Sequence, residues 1–92
     1  METNEKILKT IEQLGRNFFS IKTAATILEI DLVELKNEIR NPSSEIRRAY
    51  YKGFYSQELK LRESIIDLAH RGSSPAQNQA LKFLESASSE NG

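Results

Sequence analysis

Cysteine and tryptophan are missing from this 92-residue chain, histidine occurs once, proline twice and glycine four times. Without cysteine, disulfides and thiolate metal sites are excluded, and an intracellular, cytoplasmic location is expected. With His70 as the only histidine, no metal-ligand cluster and no Ser/His/Asp set with a second base can be assembled. No glycine-rich phosphate loop is present either, so neither catalysis nor a cofactor is expected. The start, M-E-T-N-E-K-I-L-K-T, lacks the apolar core of a signal peptide, and no run approaches membrane-spanning length, so a membrane partner is not expected. Net charge is absent too: thirteen basic and thirteen acidic residues cancel. A polyanion site must therefore come from uneven placement of charge.

Apolar residues are 38 % of the chain. That is lean for a self-sufficient domain of this size and points to added stability from homo-oligomerisation. No segment alternates apolar and polar residues at period two, whereas 3–4-residue spacings recur throughout, which predicts an all-α fold. The expected architecture is a helix-turn-helix-containing bundle followed by a long helix and an antiparallel helical hairpin. Its parts are a helix-turn-helix part at 1–41, the long helix and hairpin for oligomerisation at 42–87, and a frayed tail at 88–92.

The first helix is expected over 3–14, with Thr3 as cap and Gly15 in the left-handed position beyond its end. Phe18 and Phe19 follow in a turn and are expected to plug the bundle. Ser20 is the expected cap of a helix over 21–28, and Asp31 with Glu34 forms a D-x-x-E start for a helix running to Arg40. The long helix is expected over 41–70, with Asn41 as cap and Pro42 at its first position. Ile46, Tyr50, Phe54, Leu61, Ile65 and Leu68 form one apolar line along it; Tyr51, Tyr55, Leu59, Ile66 and Ala69 form a second. One line suffices for a helix with one neighbour, so the doubled stripe predicts a subunit contact as well. Gly53, inside this helix, permits a bend, the close approach of another backbone, or a junction between the DNA-side and assembly-side halves. Gly72 is expected to end the helix, and Ser74-Pro75-Ala76-Gln77 to start the last one with Ser74 as cap.

Function is expected in two places. The spacing Ala24-Ala25, Leu28, Ile30, Leu35, Ile39 fits a helix-turn-helix, with Glu29 standing where glycine normally permits the tight turn. Its second helix carries Asp31, Glu34 and Glu38 against Lys36 and Arg40, a balance unfavourable beside phosphates. From Ile46 to Arg62, in contrast, five basic residues face the single acid Glu58. Arg47, Arg48 and Lys52 are interleaved there with Tyr50, Tyr51 and Tyr55, a composition suited to phosphate contacts. A solvated helix face is the bland alternative.

These features together resemble the small subunit of tailed-phage terminases. The resemblance rests on the helix-turn-helix at 21–39, N-P-S-S-E-I-R-R-A-Y-Y-K-G at 41–53, and L-R-E-S-I-I-D-L-A-H-R-G-S-S-P-A-Q-N-Q-A-L-K-F-L-E at 61–85. It covers about residues 20–85. Similar patterns occur in transposon-encoded and other phage helix-turn-helix proteins. The resemblance implies a non-catalytic adaptor that recognises viral double-stranded DNA in the host cytoplasm, assembles into rings and regulates a separate large ATPase-nuclease subunit. By position, Lys22, Thr23, Lys36, Asn37 and Arg40 would face DNA, joined by Arg47, Arg48 and Lys52. Tyr51, Tyr55, Leu59, Ile66, Phe83 and Leu84 would build the subunit interface. A transcriptional regulator of phage or transposon type, and an oligomeric interaction module that binds no DNA, are the alternatives.

Overall fold

The computed structural model describes residues 1–92 and is helical throughout, without strands. Five helices follow in order: α1 (Glu5–Arg16), α2 (Ile21–Leu28), α3 (Leu32–Arg40), α4 (Glu45–His70) and α5 (Ser74–Asn91). The chain divides into two compact units, Met1–Glu58 and Leu59–Gly92, with the boundary inside α4. No helix is long and apolar enough to cross a membrane.

The first unit is built on one core: Ile11 and Leu14 of α1, Ala24 and Ala25 of α2, Leu35 and Ile39 of α3, and Ile46 and Tyr50 of α4. Its tightest feature is a crossing of two glycines. A Cβ placed on Gly15 would overlap the Tyr50 carbonyl oxygen, and one on Gly53 would overlap the Glu12 carbonyl oxygen and lie 2.9 Å from the Arg16 amide nitrogen. The backbones of α1 and α4 thus touch directly, which side chains at these positions forbid. Gly53 thus serves the close approach of α1.

That role corrects the expected end of α1. Gly15 stays helical and buried, the helix runs to Arg16, and Phe18 takes the left-handed position with φ 59°. Asn4, not Thr3, caps the start, its side chain accepting from the Ile7 amide at 2.9 Å. Phe18 and Phe19 do not plug the bundle. Each is 40 % exposed, because the left-handed residue turns the chain outward at the helix end. Phe18 meets the ring of Phe54 edge-on at 4.9 Å. Tyr50 seals this side of the core instead, its hydroxyl donating to the Phe19 carbonyl at 2.6 Å. Burial, helped by the neighbouring Tyr51, pushes the Tyr50 pKa up and keeps that donor protonated.

Ser20 and Asp31 cap α2 and α3 as expected, accepting from the amides of Thr23 and Glu34 at 3.1 Å each. The start of α4 differs from expectation. Asn41 terminates α3 in an extended conformation, as a residue before proline prefers, and its side chain accepts from Ser43 N in a local turn. Asn41 and Pro42 therefore lie outside α4, and the cap is Ser44. Its buried hydroxyl accepts from the amides of Ile46 and Arg47 and donates to the Glu38 carboxylate at 2.6 Å.

The second unit is an antiparallel hairpin of the end of α4 and α5. Gly72 (φ 100°) closes α4 with bonds from Ser73 N to the Leu68 carbonyl and from Gly72 N to the Ala69 carbonyl. The cap of α5 is Ser73, one residue before the expected Ser74, because Ser73 is the first extended residue beyond the left-handed glycine. Its hydroxyl accepts from the Ala76 amide, and Pro75 falls within the first turn. Ser73→Ala is expected to lower stability by about 1 kcal/mol, with Ser74→Ala close to neutral, as measured by thermal melts of both variants. The polar stretch 88–92, expected to fray, continues α5 to Asn91, since no breaker precedes Gly92.

Small residues make this hairpin. Ala69 and Ala76 are its only buried apolar side chains, and the Gln77 side chain crosses to donate to the Ala69 carbonyl at 3.1 Å. The long stripes of α4 are only partly covered here: Ala69 is buried and Ile65 half-buried, whereas Leu61 and Leu68 of the first line, and Leu59 and Ile66 of the second, are exposed.

Candidate nucleic-acid interface

Helices α2 and α3 are joined by Glu29-Ile30-Asp31, the connectivity of a helix-turn-helix. Glu29 adopts the left-handed conformation (φ 57°, ψ 44°) that glycine supplies more cheaply, and Ile30 N closes the turn on the Ala25 carbonyl. The turn is therefore regular, although a non-glycine residue occupies its strained position. Ala24 and Ala25 are buried where the two helices meet, and Leu35 and Ile39 hold the inner side of α3 against the core.

The outer side of α3 follows from that anchoring. Val33, Lys36, Asn37 and Arg40 stand at i, i+3, i+4 and i+7, all exposed. Neither Lys36 nor Arg40 pairs with a carboxylate. The three acids of this segment are occupied in the fold. Asp31 caps α3, Glu34 lies 3.4 Å from the Met1 ammonium, and Glu38 accepts the Ser44 hydroxyl. Val33, 63 % exposed, was not among the residues expected to matter. Its position three residues before Lys36, opposite the buried Leu35, is the signal that places it on this face.

The remaining basic residues fall in different surroundings. Lys22 and Thr23 are exposed in the first turn of α2, where Thr23 Oγ1 accepts from Ser20 at 3.1 Å. Arg47 is half-buried and donates to the Ile39 carbonyl at the end of α3, with its guanidinium 5.2 Å from the centre of the Tyr51 ring. It works first as a tie between α3 and α4. Arg48 is exposed and donates to the Ser43 carbonyl at 3.3 Å. Lys52 lies on the α1 side, 3.5 Å from Glu12, which also holds Arg16 at 2.7 Å.

The residues expected at a subunit contact also divide. Tyr51 and Tyr55 belong to the first unit and stack on one another with ring centres 5.4 Å apart and planes at 21°. Leu59, Ile66, Phe83 and Leu84 belong to the second. There Phe83 is half-buried beneath the Arg62 guanidinium, 4.1 Å from its ring centre, while Leu84 is 62 % exposed. Ile66, Leu81 and Leu84 line a shallow groove of about 430 Å³ with Ala69, Ala80 and His70.

No group of three or more acidic, histidine or cysteine side chains is placed to hold a metal ion. No protein-family model, curated protein or solved structure matches the chain.

Proposed function

We propose that the chain is a non-catalytic, DNA-binding adaptor of viral DNA packaging, of the terminase small-subunit kind. The first unit reads double-stranded DNA through α3. The second joins copies into an assembly, and a separate ATPase-nuclease subunit carries out the chemistry. The outer face of α3 supports this reading most directly. Val33, Lys36, Asn37 and Arg40 occupy one exposed face, while the acids of the same segment are engaged elsewhere. A helix with one such face fits a major groove, where Asn can pair with adenine, Arg with guanine or phosphate, and Val can meet a thymine methyl.

Assembly is supported by what the hairpin lacks. Its 34 residues, 59–92, bury two alanines and leave Leu59, Leu61, Ile66, Leu68, Leu81 and Leu84 largely exposed. Units of this size without disulfides or metals need association to be stable. Four basic and four acidic residues balance in this segment, which suits another copy of the chain better than a polyanion.

Duplex titrations at several salt concentrations test the DNA reading. Arg40→Ala is expected to flatten the slope of log K against log salt by about 0.9 if Arg40 holds a phosphate. Asn37→Ala is expected to cost about 1–3 kcal/mol on the preferred sequence and to relax specificity at one base pair. Absence of duplex binding even at low salt would leave an interaction module, with α2 and α3 serving as scaffold.

A further inference from the structure

The groove at the start of α4 has a composition that duplex recognition by α3 leaves unused. It encloses about 340 Å³ between Pro42, Arg47, Arg48, Tyr51 and Tyr55. Arg47, Tyr51 and Tyr55 form a continuous stack, guanidinium to ring to ring, with spacings of 5.2 and 5.4 Å. The stack is fixed at its inner end by the bond from Arg47 to the Ile39 carbonyl. At its outer end Tyr55 is 58 % exposed, with Phe54 edge-on to it at 5.4 Å. Such a ladder is held in register from below and ends on a ring that leaves more than half of its residue's surface to solvent.

Charge narrows what that group is. Neither Arg47 nor Arg48 pairs with a carboxylate, and Arg48 is exposed with a single bond to the Ser43 carbonyl. Glu38, at the same end of α3, is held by the Ser44 hydroxyl. A ligand that fits has a flat π-face for Tyr55 and an anion for Arg48. Nucleotides of a single strand provide both, because their bases are free to leave the stack and their phosphates are adjacent. Bases inside an intact duplex cannot offer a face to a side chain at the surface.

We propose that this groove binds single-stranded nucleic acid, stacking one unpaired base on Tyr55 and placing its phosphate against Arg48. The site lies at the C-terminal end of α3, where it holds an opened or terminal strand beside a duplex on that helix. It adds to the duplex reading and can fail separately from it.

Fluorescence anisotropy with the full chain tests the site. The probes are a labelled oligothymidylate of about ten nucleotides, within the usual span of such sites, and an abasic strand of the same length. The oligothymidylate is expected to bind more tightly than the abasic strand. Tyr55→Ala should weaken oligothymidylate binding by about 5- to 150-fold, the range measured for loss of one stacked base. Tyr55→Phe should retain it, since the ring and not the hydroxyl provides the face. Arg48→Gln should flatten the salt slope by about 0.7, the value for one contact to a single strand. Arg40→Ala should weaken the duplex more than it weakens the oligothymidylate, whereas Tyr55→Ala should do the reverse. Equal affinity for the abasic strand, or undiminished binding by a helical Tyr55→Ala protein, would overturn the proposal. Displacement of the strand by a glutamate-rich peptide at equal concentration would overturn it too, in favour of a peptide site. If duplex binding is absent but oligothymidylate binding depends on Tyr55, the α3 reading falls and this one stands.

Discussion

Gly53→Ala is expected to lower the stability of the protein by roughly 2–4 kcal/mol, although alanine is the better helix former by about 1 kcal/mol. In an ordinary exposed helix the substitution would stabilise. Here the added methyl would overlap the Glu12 carbonyl oxygen and press on the Arg16 amide, and both obstacles are backbone. No rotamer change relieves them, so α1 and α4 must move apart. Separation would loosen Ile11, Leu14, Ile46 and Tyr50, which meet around the crossing. For a chain of this size the melting temperature should fall by about 10–25 °C. Gly15→Ala should do the same, because its methyl would overlap the Tyr50 carbonyl oxygen. The double variant should cost less than the two single changes added together, since one separation accommodates both methyls. Thermal and denaturant melts of the three variants decide it. A Gly53→Ala protein that melts at or above the parent's temperature would mean that the helices do not touch there.

The same glycines show where sequence reasoning reached and where it stopped. Helix ends governed by neighbouring residues were legible: Ser20 and Asp31 cap α2 and α3, and Gly72 ends α4, each through contacts within a few residues. Gly15 was misread because a glycine near the end of an apolar pattern looks alike whether it terminates a helix or admits a neighbour. The difference lies in Tyr50, 35 positions away in the sequence. The start of α4 was misread for a similar reason. Asn41-Pro42 carries a strong local start signal, but Asn41 closes α3, and the hydroxyl of Ser44 is fixed by Glu38 of that helix.

At the candidate interface, the terminase resemblance pointed to Lys36, Asn37 and Arg40, and these three are exposed on one face of α3. The resemblance could not reveal that Arg47 is drawn to the Ile39 carbonyl, since that bond depends on how α3 meets α4. Nor could the doubled stripe on α4 say which part its own chain covers. Ile46 and Tyr50 are buried, whereas Leu61 and Leu68, continuing the same line, are not. A periodic pattern records that a face is apolar, not what lies against it.

Loss of assembly is expected to cost far more DNA affinity than loss of any one DNA contact. Asp31, Glu34 and Glu38 outnumber Lys36 and Arg40 in the α3 segment, and occupied carboxylates still repel phosphates at short range. One copy should therefore hold a duplex weakly. Several copies on one assembly make later contacts intramolecular, and avidity of this kind adds roughly 10²–10⁴ in affinity without any new contact. In the proposed assembly, the exposed Leu59 and Ile66 of the second unit are the places to break it. Leu59→Gln with Ile66→Gln should yield a smaller species by sedimentation, with the first unit's helices intact by circular dichroism. Its duplex affinity should fall by about two orders of magnitude or more, although α2 and α3 are untouched. Glutamine is the informative replacement, because glutamate would add charge that repels DNA by itself. Fusing the double variant to an unrelated dimerisation helix should restore part of the affinity, since two tethered copies recover one intramolecular step. A monomeric double variant that binds duplex as tightly as the parent would show that α3 suffices alone and that the hairpin serves something other than DNA affinity.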